Sequence, residues 1–260
     1  LATKPRKVLA QEMNNLLKKD VKIGTSQYNS LLNDLKRISR EISGLSHMEV
    51  EESDSATASL GLEFMLAHYK ETVGQMEQQR LMDEKKILGF AAQLRNVEGQ
   101  KNVFLIYQRE FRPEIQQSVV NRMIAGYQDR PEILASIQDL FMLYSRDVSL
   151  NPDRIKKAFS DAGISLYFIF MNKEPQDTAG ITMREQSEDV FKVFSQVAQA
   201  TGGTVDTSQN PAVGFGQALE RSRHYYLLYY SPENSKRDGQ FKTITIRAKN
   251  PNYTVHHRLG

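Results

Sequence analysis

The chain has 260 residues, of which 40% are apolar and 25% charged, enough to bury a substantial core. Lys+Arg number 34 against Asp+Glu 31, a small and scattered excess that gives no reason to expect nucleic acid or an anionic membrane surface as partner. There is no Cys, which excludes disulfides, thiolate metal sites and Cys nucleophiles, and no apolar run approaches the ~18–20 residues of a spanning helix.

The first residue is Leu1, which reads as a trimmed or processed start. Lys4–Lys19 has helical periodicity, with Val8, Leu9, Met13, Leu16 and Leu17 on one face and Pro5 near its start. Val21–Ile23 is too short for a strand. Ser26–Ile42 predicts a second amphipathic helix through Leu31, Leu32, Leu35, Ile38 and Ile42, with Gly44 as its stop.

After the acidic turn Glu51–Asp54, the stretch from Thr57 to about Val97 lacks Pro and reads as one long helix, or as two broken near Gly74. Leu66, Tyr69, Val73 and Met76 form its stripe. That stripe either packs on the chain's own core or serves as an interface, and part of the polar segment Glu77–Lys86 should project into solvent.

The continuous apolar run Asn102–Tyr107 fits a central parallel strand. A polar loop, Gln108–Pro113, follows, then helices around Glu114–Ala125, Pro131–Tyr144 and Arg154–Ala162. Ser165–Met171 predicts a strand and Ser187–Gly203 a helix, with another helix after Asn210-Pro211. Two strand patterns close the chain, His224–Pro232 and Phe241–Lys249, separated by the hairpin-type turn Asp238-Gly239, and Tyr253–Leu259 reads as a last short strand. In Phe241–Ala248 one face is apolar, as expected nearer a sheet edge. One domain of α/β class is the simplest reading.

Several motifs carry a resemblance over about Gln100–Gly260. A helix leads into a strand in Ile155–Asn172, and a helix ends in AQATGG at Ala198–Gly203. A tyrosine-rich strand ends in YYSP at Tyr229–Pro232, followed by DGQFK at Asp238–Lys242 and ITIRA at Ile244–Ala248. In this order they resemble the bacterial von Willebrand factor A-like (vWA) family. The resemblance implies a Rossmann-like three-layer sandwich with a mostly parallel sheet and an antiparallel edge, on which Thr57–Val97 is a helical elaboration. It also implies a non-enzymatic protein-binding or adhesion module, exported to the periplasm, the envelope or the cell exterior.

Such domains hold Mg²⁺ or Mn²⁺ with oxygen ligands at the C-terminal rim of the sheet. The family's D-x-S-x-S loop is missing here, and Gln108 stands near the place of a ligating Asp. The metal site is therefore expected to be degenerate, with no resident cofactor; Thr57 and Glu110 are the residues that could still serve it. Without metal, the rim itself would meet another protein through Gln108, Arg109, Glu110, Phe111 and Arg112 after one strand, and Asn172 and Lys173, with Glu174 beside them, after the next. Two alternatives stay open: a scaffold or assembly subunit acting or oligomerising through the long helix, and a hydrolase or nucleotide-binding α/β protein. Thr201-Gly202-Gly203 lacks the Lys and spacing of a phosphate loop and reads as a helix C-cap. His256-His257 occupy adjacent positions of a strand pattern and so point to opposite faces. No catalytic constellation is evident.

Overall fold

The computed structural model describes residues 22–45, 55–144, 150–172, 174–175, 179–207, 211–223, 226, 228, 244–250, 252–253, 255 and 257–258. The helices are α1 (Lys22–Leu45), α2 (Ser55–Arg80), α3 (Glu84–Arg95), α4 (Gln117–Gly126), α5 (Pro131–Tyr144), α6 (Pro152–Asp161), α7 (Glu188–Ala200) and α8 (Pro211–Arg223). The strands are β1 (Lys101–Gln108), β2 (Phe111–Ile115), β3 (Ile164–Met171), β4 (Ile181–Glu185) and β5 (Val205–Asp206). Helices around a parallel sheet make this an α/β chain. Contacts divide it into two compact units, a division the single-domain reading of the sequence does not make.

The first unit comprises residues 1–81, 112–146 and 176–184. Its core is helix on helix. Leu35, Ile38 and Ile42 of α1 meet Leu62, Leu66, Tyr69, Val73 and Met76 of α2, with Val119 and Met123 of α4 and Ile133, Ile137 and Leu140 of α5. The α2 stripe is buried to 0–1% exposure, so its three-and-four spacing serves the chain's own core and offers no free interface. Burying four such side chains fully is worth ~1.5–3 kcal/mol each against exposure.

The second unit comprises residues 82–111, 147–175 and 185–260. Its sheet runs β1-β3-β5, all parallel, with Lys101–Gln108 in register against Ile164–Met171. β3 is buried along almost its whole length, which explains its unbroken apolar run. Phe168 and Phe170 pack on Phe191 of α7, and Phe168 also meets Phe194.

Local chemistry sets the helix ends. Asp83 accepts the backbone N–H groups of Lys85 and Lys86 and starts α3; Asn151 does the same for Asp153 and Arg154 and starts α6, with Pro152 at its first position. At the end of α7, Gly202 has φ +76°, its N–H meets Gln199 O, and the Gly203 N–H meets Ala198 O at 2.9 Å. That is a Schellman cap, so the Gly pair ends a helix as its sequence reads.

Other expectations are corrected. The Thr57–Val97 helix breaks at Leu81–Asp83, where Asp83 caps the next helix, and not at Gly74, which lies inside α2. A single helical Gly costs ~1 kcal/mol and does not by itself end a helix. Part of Glu77–Lys86 does project, as expected, with Leu81 78% exposed, while Arg80 is 5% exposed and paired with Glu77 at 3.1 Å. Residue 22, inside Val21–Ile23, opens α1. The loop Gln108–Pro113 shrinks to Arg109 and Glu110, because β2 begins at Phe111 and joins β4 in an antiparallel two-stranded sheet. Pro113 lacks an N–H, a loss that an edge strand tolerates.

Among the described residues, the closing strand patterns do not form strands as expected. Residues 244–248 keep an alternating half-buried and exposed pattern but join no ladder, and the Ile246 N–H goes to His257 Nε2. Of Tyr253–Leu259, Arg258 makes a single bridge to Thr201. Tyr226 and Leu228 are exposed and outside any strand. The rest of His224–Pro232, the Asp238-Gly239 turn and Lys4–Lys19 lie outside the described residues.

Candidate functional site

Gln108 and Met171 stand side by side at the C-terminal ends of two parallel strands, the edge at which open α/β sheets generally place ligands. The Arg109 N–H continues the ladder to Met171 O at 2.9 Å. Beyond it, the Arg109 guanidinium draws the surrounding loops together. Nε and Nη2 both donate to Glu185 Oε2, the former at 2.8 Å. Nη1 donates to Asn172 Oδ1 at 2.8 Å and to Glu174 Oε1 at 3.0 Å. The same cation lies 5.0 Å from the centre of the Phe111 ring. Charge-assisted bonds of this kind are about twice as strong as neutral ones. They hold the Arg109 pKa above its ordinary value, chiefly through the Glu185 hydrogen bond.

Ser187 completes the cluster. Its hydroxyl donates to Glu185 Oε1 at 3.1 Å and accepts the Glu110 N–H at 3.2 Å. The Gln186 N–H reaches Glu110 O at 3.0 Å. Ser187 precedes α7 but makes no side-chain cap bond to it, because its hydroxyl serves the rim.

The structure thus brings together Gln108, Arg109, Glu110, Phe111 and Asn172 from the sequence reading. Lys173 lies outside the described residues. Glu174 stands at the rim after β3, where the sequence reading has it; Glu185 and Ser187 were not anticipated, and the acidic and polar run REQSE at 184–188, sitting just before a helix, is the one signal that could have drawn attention to them.

Arg112 is corrected. It belongs to the first unit and is 1% exposed, so it presents nothing to a partner. Its Nη2 donates to Glu114 Oε1 at 2.8 Å and to Tyr144 O at 3.1 Å; Nη1 reaches Leu143 O at 3.4 Å and lies 3.6 Å from Glu77 Oε1. The guanidinium stacks 4.7 Å from the Tyr144 ring centre. The Tyr144 hydroxyl donates to Tyr69 Oη at 2.9 Å, and Tyr69 donates to Pro113 O at 2.5 Å. A cation inside a helical core is sustained by this many partners and not by solvent.

The two metal candidates differ in setting. Thr57 is exposed in the first turn of α2, in the first unit, while Glu110 follows β1 in the second. Around Glu110 the carboxylates of Glu174 and Glu185 are taken by Arg109, and a fixed guanidinium is a poor neighbour for a divalent cation. These donors do not make the oxygen cage that Mg²⁺ or Mn²⁺ takes. Among the described residues, no group of three or more His, Asp or Glu side chains is placed to hold a metal ion. No described helix is long and apolar enough to cross a membrane.

What the rim offers is a fixed polar surface. Among the described residues it has three carboxylates to one guanidinium, an exposed amide at Gln108, and the half-buried ring of Phe111. No family model matches the chain, and comparisons with curated proteins and with solved structures find no match either.

Proposed function

We propose that the chain is a protein-binding module that acts through the rim loops after β1 and β3. The observation that supports this most is the Arg109 clamp. One side chain ties Glu185, Asn172 and Glu174 to a single geometry at the strand ends. A surface fixed before binding loses less conformational freedom on association, so more of the contact energy shows as affinity. Among the described residues the rim's carboxylates outnumber its guanidinium, which favours a partner that presents Lys or Arg. The likeness of Gln100–Gly260 to the vWA-like family supports the same reading, including an adhesion role at the cell envelope, with binding that needs no metal.

The test is affinity capture from native extract with immobilised chain, run with Mg²⁺ and with EDTA. The wild-type chain is compared with Arg109→Ala, which releases the loops, and with Phe111→Ser. The same partner should be retained in both buffers and lost from both variants while their circular dichroism stays native. Equal capture by wild type and both variants would sink the rim; loss in EDTA would sink the metal-free reading.

A further inference from the structure

In the second unit, α3 packs on α6, and a cavity of about 330 Å³ opens between α3 and the β1–β3 face. Its walls are Phe90, Leu105, Phe159, Leu166 and Phe194, with Ile87 and Val103 beside them. The polar lining residues are Asp83 and Lys86, both from the start of α3. The volume falls in the ~300–1,000 Å³ range of small-molecule pockets, and it is about twice that of an engineered apolar cavity, ~150 Å³, that binds benzene. Water in such a space finds few of the two to four partners it needs, so an apolar occupant displaces it readily.

The polar end selects the occupant. The Asp83 carboxylate is committed to the backbone N–H groups of Lys85 and Lys86, where it caps α3. Lys86 is exposed, and its ammonium rides on a flexible stem. An apolar body with a negative headgroup therefore matches both ends of the cavity. We infer that the cavity binds one medium-length acyl chain, with its carboxylate at Lys86. This site is separate in residues from the Arg109 rim, and its failure would leave the rim reading untouched.

Isothermal titration calorimetry on the intact chain, with decanoate and with 1-decanol below the concentrations at which they aggregate, tests the proposal. One decanoate should bind per chain in the micromolar range. Lys86→Glu should weaken decanoate by at least ~3–5-fold, the scale of an exposed ion pair, and leave 1-decanol unchanged. Ile87→Trp, which fills the cavity from α3, should abolish binding of both. Should Ile87→Trp not fold, Val103→Phe takes its place with the same readout. Absence of saturable one-to-one binding overturns the proposal. So does binding that survives the filling variant, or a decanoate affinity indifferent to Lys86→Glu.

Discussion

Replacing Arg112 by Met keeps an unbranched stem but removes the guanidinium, with its charge, its hydrogen bonds and its volume. The consequence can be worked from its surroundings. Arg112 is 1% exposed and its partner Glu114 has an 11% exposed side chain, so water cannot compensate for the lost cation. The carbonyls of Leu143 and Tyr144 lose a donor, and the Tyr144 ring loses the cation above it. Removing one partner of a buried pair typically costs ~3–5 kcal/mol, because the other charge stays buried and unpaired. Arg112→Met should therefore destabilise the first unit by about 3–4 kcal/mol in urea unfolding followed by far-ultraviolet circular dichroism. Glu114→Gln in the same background should recover part of that loss, since it removes the orphaned charge. The double variant should fall short of the sum of the single effects by at least ~1 kcal/mol, as expected for residues in direct contact. A loss under ~1 kcal/mol for Arg112→Met, with additive single effects, would refute the argument. It would return Arg112 to the solvent and to the rim at which its sequence neighbours stand.

Two further outcomes follow, one from the packing around Arg112 and one from the sheet of the second unit. Burial first, and the neighbouring Tyr144 next, push the Tyr69 hydroxyl well above its ordinary pKa, and burial raises Tyr144 as well. The folded chain then holds these protons to higher pH than the unfolded chain, so stability is full below pH ~10 and falls as pH rises above it. Tyr144→Phe should flatten that decline in alkaline denaturant titrations; an unchanged slope would remove these phenols from the account. Gly203→Ala would place a Cβ 1.7 Å from the backbone oxygen of Leu166, at the centre of the sheet. That clash exceeds ordinary overpacking, so a loss of ~3 kcal/mol or more is expected by thermal unfolding, whereas Gly216→Ala, which meets nothing within 4 Å, should be tolerated.

The parts of the fold legible in the sequence were those whose signal is local and periodic. Asn102–Tyr107 and Ser165–Met171 appear within a residue or two of β1 and β3, but among the described strands only β3 is central and buried along its length; β1, expected as a central strand, lies at the end of the β1-β3-β5 order with Ile106 46% exposed. The amphipathic spacing of Ser187–Gly203 likewise yields α7 and its glycine cap. Strands β2 and β4 were hidden because each is five residues long, and Pro113 and the charged residues in FRPEI argue for a loop. Only pairing, which is not local, makes them a sheet. The rim was half legible. Position after a strand identified Arg109 and Asn172, but nothing in the sequence says that Glu185, 76 residues away, closes on Arg109. Arg112 misled because charge in a polar run reads as exposure, whereas Glu114, Glu77 and Tyr144 surround it.

The chain passes between its two compact units five times, at 81–82, 111–112, 146–147, 175–176 and 184–185. Neither unit is a continuous stretch of sequence. A clone cut at 111–112, 146–147 or 175–176 would carry fragments of both and the whole of neither, and one cut at 81–82 or 184–185 would keep one unit whole only with pieces of the other attached, so deletion mapping by truncation would report failed folding where it set out to report function. During synthesis the helical unit also waits for residues 176–184 to emerge, well after most of its core is made. Point substitutions, not excised pieces, are the tools suited to this molecule.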